Sequence, residues 1–147
     1  MQFSDLEPMV VEKKSKLEPF VVGIGIGLFL LSLFNICFWT DNSCRSSLEV
    51  LLIGGIAMLT GGAAIAWLAN PLLVVAWVLL ARNKRGAWLF GLAAVIICLY
   101  FLHFKVVIDD EAGNYRRITR IGIGYWFWLA SCVTTFVGSL TIRILKW

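Results

Sequence analysis

Charge is what this sequence has least of. Only 15% of its 147 residues are Asp, Glu, Lys or Arg, whereas soluble domains carry about 25%. Apolar residues make up 60% of the chain, and its mean hydropathy is +0.85. A water-soluble globule is therefore a poor description of this chain, and we expect a small integral membrane protein whose long uncharged stretches are its membrane segments.

Motifs of catalysis, metal binding and nucleotide binding are also missing. The sequence has no CxxC pair, no Cys/His spacing typical of a metal site and no GxSxG nucleophile motif. Gly23, Gly25 and Gly27 resemble part of a dinucleotide fingerprint, but they lie inside an apolar run without the strand and turn that the fingerprint needs. His103 is the one titratable side chain other than cysteine and tyrosine within the apolar runs, which disfavours a proton-coupled pump. We predict no catalytic residue, no cofactor, no bound metal and no nucleic-acid partner.

Four apolar runs are long enough to reach across a bilayer. The first is too long for the core of a signal peptide, about 7–15 residues, so we expect it to be retained. The second has 32 residues and would measure about 48 Å as a straight helix, which exceeds the roughly 30 Å of the hydrocarbon core. Because proline lacks a backbone N–H donor, we expect a hinge at Asn70-Pro71, with 71–81 either continuing the helix or re-entering the membrane. The expected spans are 20–39, 50–81, 87–104 and 121–140.

These runs predict an all-α membrane protein, a single domain over residues 1–147 built as a four-transmembrane-helix bundle. Lys and Arg favour the cytoplasmic side of a membrane, and placing both termini inside puts eight of them there and five outside. Residues 1–19 would then form a cytoplasmic tail, in a multi-pass protein of the inner (cell) membrane. The inner eight are Lys13, Lys14, Lys16, Arg82, Lys84, Arg85, Arg143 and Lys146, and the outer five are Arg45, Lys105, Arg116, Arg117 and Arg120.

The loop 105–120, between the third and fourth spans, is the most individual part of the chain. It has a β-branched run, an acidic and Gly-Asn turn and a second strand-like run, so we expect a β-hairpin-like loop on the outer side. Cross-strand ion pairs are one interpretation of its charges. The other is a partner-binding surface for a protein, or for membrane lipid headgroups in the case of the arginines. The charged residues are Asp109, Asp110, Glu111, Arg116, Arg117 and Arg120.

Small residues and cysteines mark further contacts. Glycines cluster in the first, second and fourth runs, which is typical of helices that pack closely against one another or against a partner's helix, and a homo-oligomer would use the same faces. Hydroxyls of the fourth run either join such a seam or bond to their own backbone.

Cys37 and Cys44 are close enough in sequence for a disulfide if their side of the membrane is oxidising. Cys98 and Cys132 should behave as small apolar groups. They form no evident nucleophile and base pair with His103, so an intramembrane enzyme is the least favoured class.

The predicted plan, four spans with both tails inside and short loops, resembles in architecture the immunity proteins that neutralise pore-forming toxins, although no motif carries the resemblance. The favoured hypothesis is a non-enzymatic membrane protein that binds another membrane or periplasmic protein, as an immunity or accessory factor or as a subunit of a complex. The alternative is a small transporter or channel subunit hinged at Asn70-Pro71.

Overall fold

The computed structural model of the protein describes residues 17–108 and 114–145, except for the side chain of Thr60. Helices make up 72% of these residues, and they are joined by a four-stranded antiparallel sheet. The helices are α1 (Leu17–Leu33), α2 (Ser47–Ala57), α3 (Ala69–Ala81), α4 (Ala87–Phe101) and α5 (Ile123–Leu145), with 3₁₀ segments at Met58–Thr60 and Gly62–Leu68. The strands are β1 (Ile36–Thr40), β2 (Cys44–Ser46), β3 (Val106–Ile108) and β4 (Tyr115–Ile121).

The expected all-α bundle of four transmembrane helices is therefore wrong. Among the described residues, two helical stretches are long and apolar enough to cross a membrane, Gly62–Ala81 and Ile123–Leu145. Helices α1, α2 and α4 are apolar but shorter. The end of the first apolar run forms β1, and the second run is divided at Gly61 and Gly62.

The first apolar run changes from helix to strand before it ends. Helix α1 stops at Leu33, where Asn35 Nδ2 donates a hydrogen bond to the carbonyl oxygen of Leu31 at 2.8 Å. The residues that follow, β1, are mostly β-branched or aromatic, which favours a strand. An uninterrupted apolar run looks the same in a helix and in a buried strand, so hydropathy could not separate the two.

The second apolar run reverses direction at two glycines. Gly61 and Gly62 have φ of +79° and +61°, a region that residues with a Cβ rarely adopt. Beyond them Gly62–Leu68 folds back along α2, and the Trp67 indole Nε1 donates to the carbonyl oxygen of Leu51 at 2.8 Å. The Trp67 ring fills the space that a side chain at position 54 would need, since a Cβ on Gly54 would be 2.5 Å from Trp67 Cδ1.

The sheet has the order β2-β1-β4-β3. Strands β3 and β4 pair as an antiparallel hairpin where the sequence predicted one, with Ile108 opposite Tyr115. Strand β4 continues past this hairpin and pairs with β1, so that the sheet joins the segment after α1 to the segment before α5. Its apolar face packs on the end of α4 and the start of α5, in a core that includes Phe38, Phe101 and Tyr125.

Helix α5 is the element on which the other helices pack. Ser131 Oγ donates to the carbonyl oxygen of Gly25 at 2.7 Å, and Trp77 Nε1 donates to Thr135 Oγ1 at 2.9 Å. These two hydroxyls join α5 to α1 and α3. Two other hydroxyls on α5, those of Ser139 and Thr141, bond to their own backbone.

Gly25→Ala should destabilise the protein by about 1–3 kcal/mol, because the added Cβ has to enter a filled space. That Cβ would lie 2.8 Å from Trp77 Nε1 and 2.9 Å from Thr135 Oγ1. Thermal unfolding of the purified protein in detergent measures the effect.

Gly23→Ala is the matched control, since nothing lies within 4 Å of a Cβ at that position of the same helix. It should be neutral, or stabilising by about 0.5–1 kcal/mol through helix propensity. Equal losses of stability in the two variants would contradict the packing described for Gly25.

Candidate functional site

The three arginines predicted to bind a partner lie together on β4, and we call them the β4 arginines: Arg116, Arg117 and Arg120. Arg117 and Arg120 are exposed, and Arg116 is half-buried. Arg120 lies opposite Trp39 on β1, with its guanidinium carbon 5.1 Å from the centre of the indole ring. This cation–π contact holds the Arg120 side chain against the sheet.

The predicted acidic partners Asp109, Asp110 and Glu111 lie outside the described residues. Within 17–108 and 114–145, no carboxylate forms a salt bridge with Arg117 or Arg120. The neighbouring Lys105 is also exposed. The inner strand β4 therefore presents the exposed cations Arg117 and Arg120, with Lys105 nearby.

Asn70 and Pro71, the predicted hinge, lie in the first turn of α3. Helical geometry continues through this point, because Leu68 has φ −57° and ψ −22° and the stretch Gly62–Ala81 changes there from 3₁₀ to α-helix. The Trp128 indole Nε1 donates to Asn70 Oδ1 at 2.9 Å, which joins the start of α3 to α5. In this structure the pair thus belongs to a side-chain contact between helices, and the sharp reversal of the chain lies at Gly61 and Gly62.

The cysteines Cys37 and Cys44 are both free thiols in the structure. Cys37 is buried in β1, whereas Cys44 is exposed on β2 opposite Trp39. Burial raises the pKa of the Cys37 thiol to about 12. In the structure the two cysteines therefore form no disulfide.

His103 and the remaining cysteines show no catalytic arrangement. His103 is exposed after the end of α4 and stacks on Tyr100 with 6.0 Å between ring centres. Cys98 and Cys132 are buried between α4 and α5, with their sulfurs 3.5 Å apart. Among the residues the structure describes, no group of three or more His, Cys, Asp or Glu side chains is placed to hold a metal ion.

A feature that the sequence did not predict is a cavity of about 340 Å³, which we call the large cavity. It lies between α2, the residues that follow Gly61, the end of α4 and the β3–β4 hairpin. Most of its wall is apolar, and within the described part of the chain its charged residues are Arg45 and Glu49, which form an ion pair with each other. Its apolar wall includes Phe38, Val50, Ile53, Ala57, Ala63, Ala64, Phe101, Phe104, Val106, Val107 and Ile108.

A second cavity of about 70 Å³, the small cavity, lies beside the large one. The two share Phe38, Val50 and Ala64 among their walls. Ser47 lines the small cavity, and its hydroxyl oxygen is buried without a hydrogen-bond partner in the described part of the chain. The sequence feature that could have indicated both cavities is the small-residue segment around Gly61 and Gly62, because it leaves space that larger side chains would fill.

No known protein-family model matches the sequence, and no curated protein or solved structure is significantly similar to it. What the protein does is therefore inferred from its own residues.

Cys44 should react with a maleimide at pH 8 much faster than Cys37 in the folded protein. Cys37 is buried and its pKa is raised to about 12, so little of its thiol is ionised at that pH, whereas the thiolate is the reactive form. Mass spectrometry of the labelled peptides without reductant measures both rates.

Unfolding in denaturant should bring the labelling of Cys37 up to that of Cys44, which controls for the chemistry of the reagent. A pair that stays unlabelled in denaturant until a reductant is added would mean that the disulfide exists, against the free thiols described here.

Proposed function

We propose that this protein is a membrane protein that acts by binding another protein through the β4 arginines, as an accessory, immunity-type or complex subunit. The observation that carries the proposal is the row of cations on β4, which has two exposed arginines without a carboxylate partner among the described residues. The partner has an acidic surface, because such a row attracts and orients opposite charge.

The membrane location is supported by the outer faces of the helices. Only 33% and 28% of the two long apolar stretches are buried inside the protein, whereas the core helix of a soluble protein is mostly buried. Large exposed apolar patches of this kind mark contact with lipid or with another protein. Exposed apolar side chains are found on all five helices and include Phe20, Leu30, Leu52, Ile56, Val74, Ile96, Val137 and Ile144.

The sheet supports recognition because it fixes the cations in place. Strand β4 is hydrogen-bonded on both sides, to β1 and to β3. At its end the Gly122 N–H donates to the carbonyl oxygen of Cys37 at 2.7 Å. A cation on such a strand loses little backbone freedom when it binds, so that more of the interaction energy appears as affinity.

The transporter alternative would need the start of α3 to move. The hydrogen bond from Trp128 to Asn70 Oδ1 joins that point to the most connected helix. No cavity described above crosses from one end of the helices to the other, so the described contacts do not favour this candidate.

Membrane location is tested in cells. We expect the protein to stay in the membrane pellet after washing with alkaline carbonate, and Cys44 to react with a membrane-impermeant maleimide in intact cells, because the sheet faces outward when both termini are cytoplasmic. The matched control is Lys84→Cys, in the turn between α3 and α4, whose new thiol should react only after permeabilisation. Release by carbonate would contradict membrane embedding, and the reversed labelling would contradict the orientation.

Partner binding is tested by a photo-reactive amino acid at Thr119, which is exposed on β4 between the arginines. We expect a crosslinked protein in native membranes. Its yield should fall about tenfold or more in R116Q/R117Q/R120Q, because removing charges from an interface slows association. Gel analysis and mass spectrometry measure the crosslinked product.

The control variant R82Q/K84Q/R85Q removes three positive charges from the turn at the other end of α3 and should leave the yield unchanged. Absence of a crosslinked protein, or a yield that does not depend on the β4 arginines, would contradict the proposed function.

A further inference from the structure

The large cavity has a mouth and a floor. Three residues of its wall are well exposed, Ile53 at 56%, Val106 at 44% and Tyr115 at 69%, and they lie on α2 and on the β3–β4 hairpin. Other wall residues are buried, among them Phe38 and Phe101. The cavity therefore opens sideways between α2 and the hairpin and ends against the core under the sheet.

The wall suits an alkyl chain better than water. A bound water needs two to four polar partners, and the wall of the large cavity is mostly aliphatic, aromatic and glycine. Its volume of about 340 Å³ lies within the range of sites for small organic ligands, about 300–1,000 Å³. Transfer of each methylene group into such a space is favourable by roughly 0.8 kcal/mol.

Among the described residues of this wall, charge is confined to one place. Arg45 and Glu49 are partly exposed and four residues apart, at the start of α2. A guanidinium recognises phosphate, often with two parallel hydrogen bonds, and a carboxylate accepts hydrogen bonds from an ammonium group. One cation and one anion beside an apolar cavity complement a headgroup that itself carries a phosphate and an amine.

We propose that the large cavity binds one acyl chain of a zwitterionic, amine-bearing phospholipid, with its phosphate at Arg45 and its ammonium group at Glu49. The chain enters from the side, past Ile53 and Val106. The apolar outer residues of α2, Leu52 and Ile56, are exposed next to this mouth and continue the same apolar surface. This site rests on the membrane location proposed above, and it is independent of partner binding by the β4 arginines.

The test uses the purified full-length protein in detergent micelles and a phosphatidylethanolamine with a photo-reactive diazirine on one acyl chain. We expect labelling that saturates, that unlabelled phosphatidylethanolamine competes away, and that maps by peptide mass spectrometry to wall residues such as Ile53, Ala57 and Val107. Labelling that does not saturate and spreads over exposed positions such as Ile96 would overturn the proposal, because it would show only the lipid-facing surface.

Ala57→Phe fills the cavity. A phenyl ring displaces at least two methylene groups of the chain, each worth roughly fourfold in affinity, so saturable labelling should fall about tenfold. Ile96→Phe, on the exposed face of α4, is the matched control and should label as the unchanged protein does. Melting temperatures of both variants show whether they fold. If Ala57→Phe does not fold, competition by unlabelled phosphatidylethanolamine in the unchanged protein tests whether the cavity binds the lipid.

The headgroup is tested with three probes that share the same chain: phosphatidylethanolamine, phosphatidylglycerol and diacylglycerol. We expect the unchanged protein to prefer phosphatidylethanolamine over both others. Arg45→Gln should remove the preference over diacylglycerol, and Glu49→Gln should remove only the preference over phosphatidylglycerol. A loss of stability in either variant would lower the labelling by all three probes equally and would leave their order unchanged. Equal labelling by all three probes in the unchanged protein would overturn the headgroup assignment.

Failure of this site and failure of the proposed function give different results. The R116Q/R117Q/R120Q variant should keep saturable lipid labelling, because the large cavity is not lined by the β4 arginines. Ala57→Phe should keep the crosslink from Thr119.

Discussion

The close contact between α1 and α5 is the constraint on which the rest of the structure depends. Val21 of α1 occupies the space that a side chain at position 138 would need. The Ser131 hydroxyl of α5 donates a hydrogen bond to the carbonyl oxygen of Gly25 on α1. Small residues let two helix backbones approach, and hydrogen bonds then form between them. Helix α5 also bonds to α3 through Trp128 and to α4 through the Tyr125 hydroxyl, so its contact with α1 joins four of the helices.

The sheet depends on the same helix. The first residues of α5 follow directly after β4, and Gly122 and Gly124 leave room for the backbone of β1. The strand that carries the arginines is thus anchored to the helix that organises the core. Strand β3 lies beside β4, with Val106 opposite Arg117 and Val107 opposite Arg116. These valines line the large cavity, so the arginine-bearing strand and the cavity share one hairpin.

Some of this architecture could be predicted from the sequence. The hairpin after the third apolar run, the close packing through glycines and the two uses of hydroxyls on the last helix follow from local patterns. The strand β1 could not be predicted, because its apolar residues continue the hydropathy of α1 without a break. The reversal at Gly61 was missed because proline is the stronger helix breaker by its chemistry, yet the helical stretch Gly62–Ala81 continues through Pro71.

The candidate site, too, could be predicted from the sequence only in part. The cluster of arginines was visible in the sequence, because charge stands out in an apolar chain. The large cavity was not, because its wall comes from segments far apart in sequence, from Phe38 to Tyr115. Its small residues look like a helix seam, and only the fold shows that Gly54 receives the ring of Trp67 while Gly61 and Gly62 border open space.

The bond between Ser131 and Gly25 joins residues 106 positions apart, which has a consequence for how the chain assembles. Helices α3 and α4 are connected by a short turn around Asn83 and can pair as soon as both exist. Helix α1 is made first, yet its main partner is made last, and contacts between distant residues form slowly. During synthesis the face of α1 that packs on α5 therefore stays without this partner until α5 has been made.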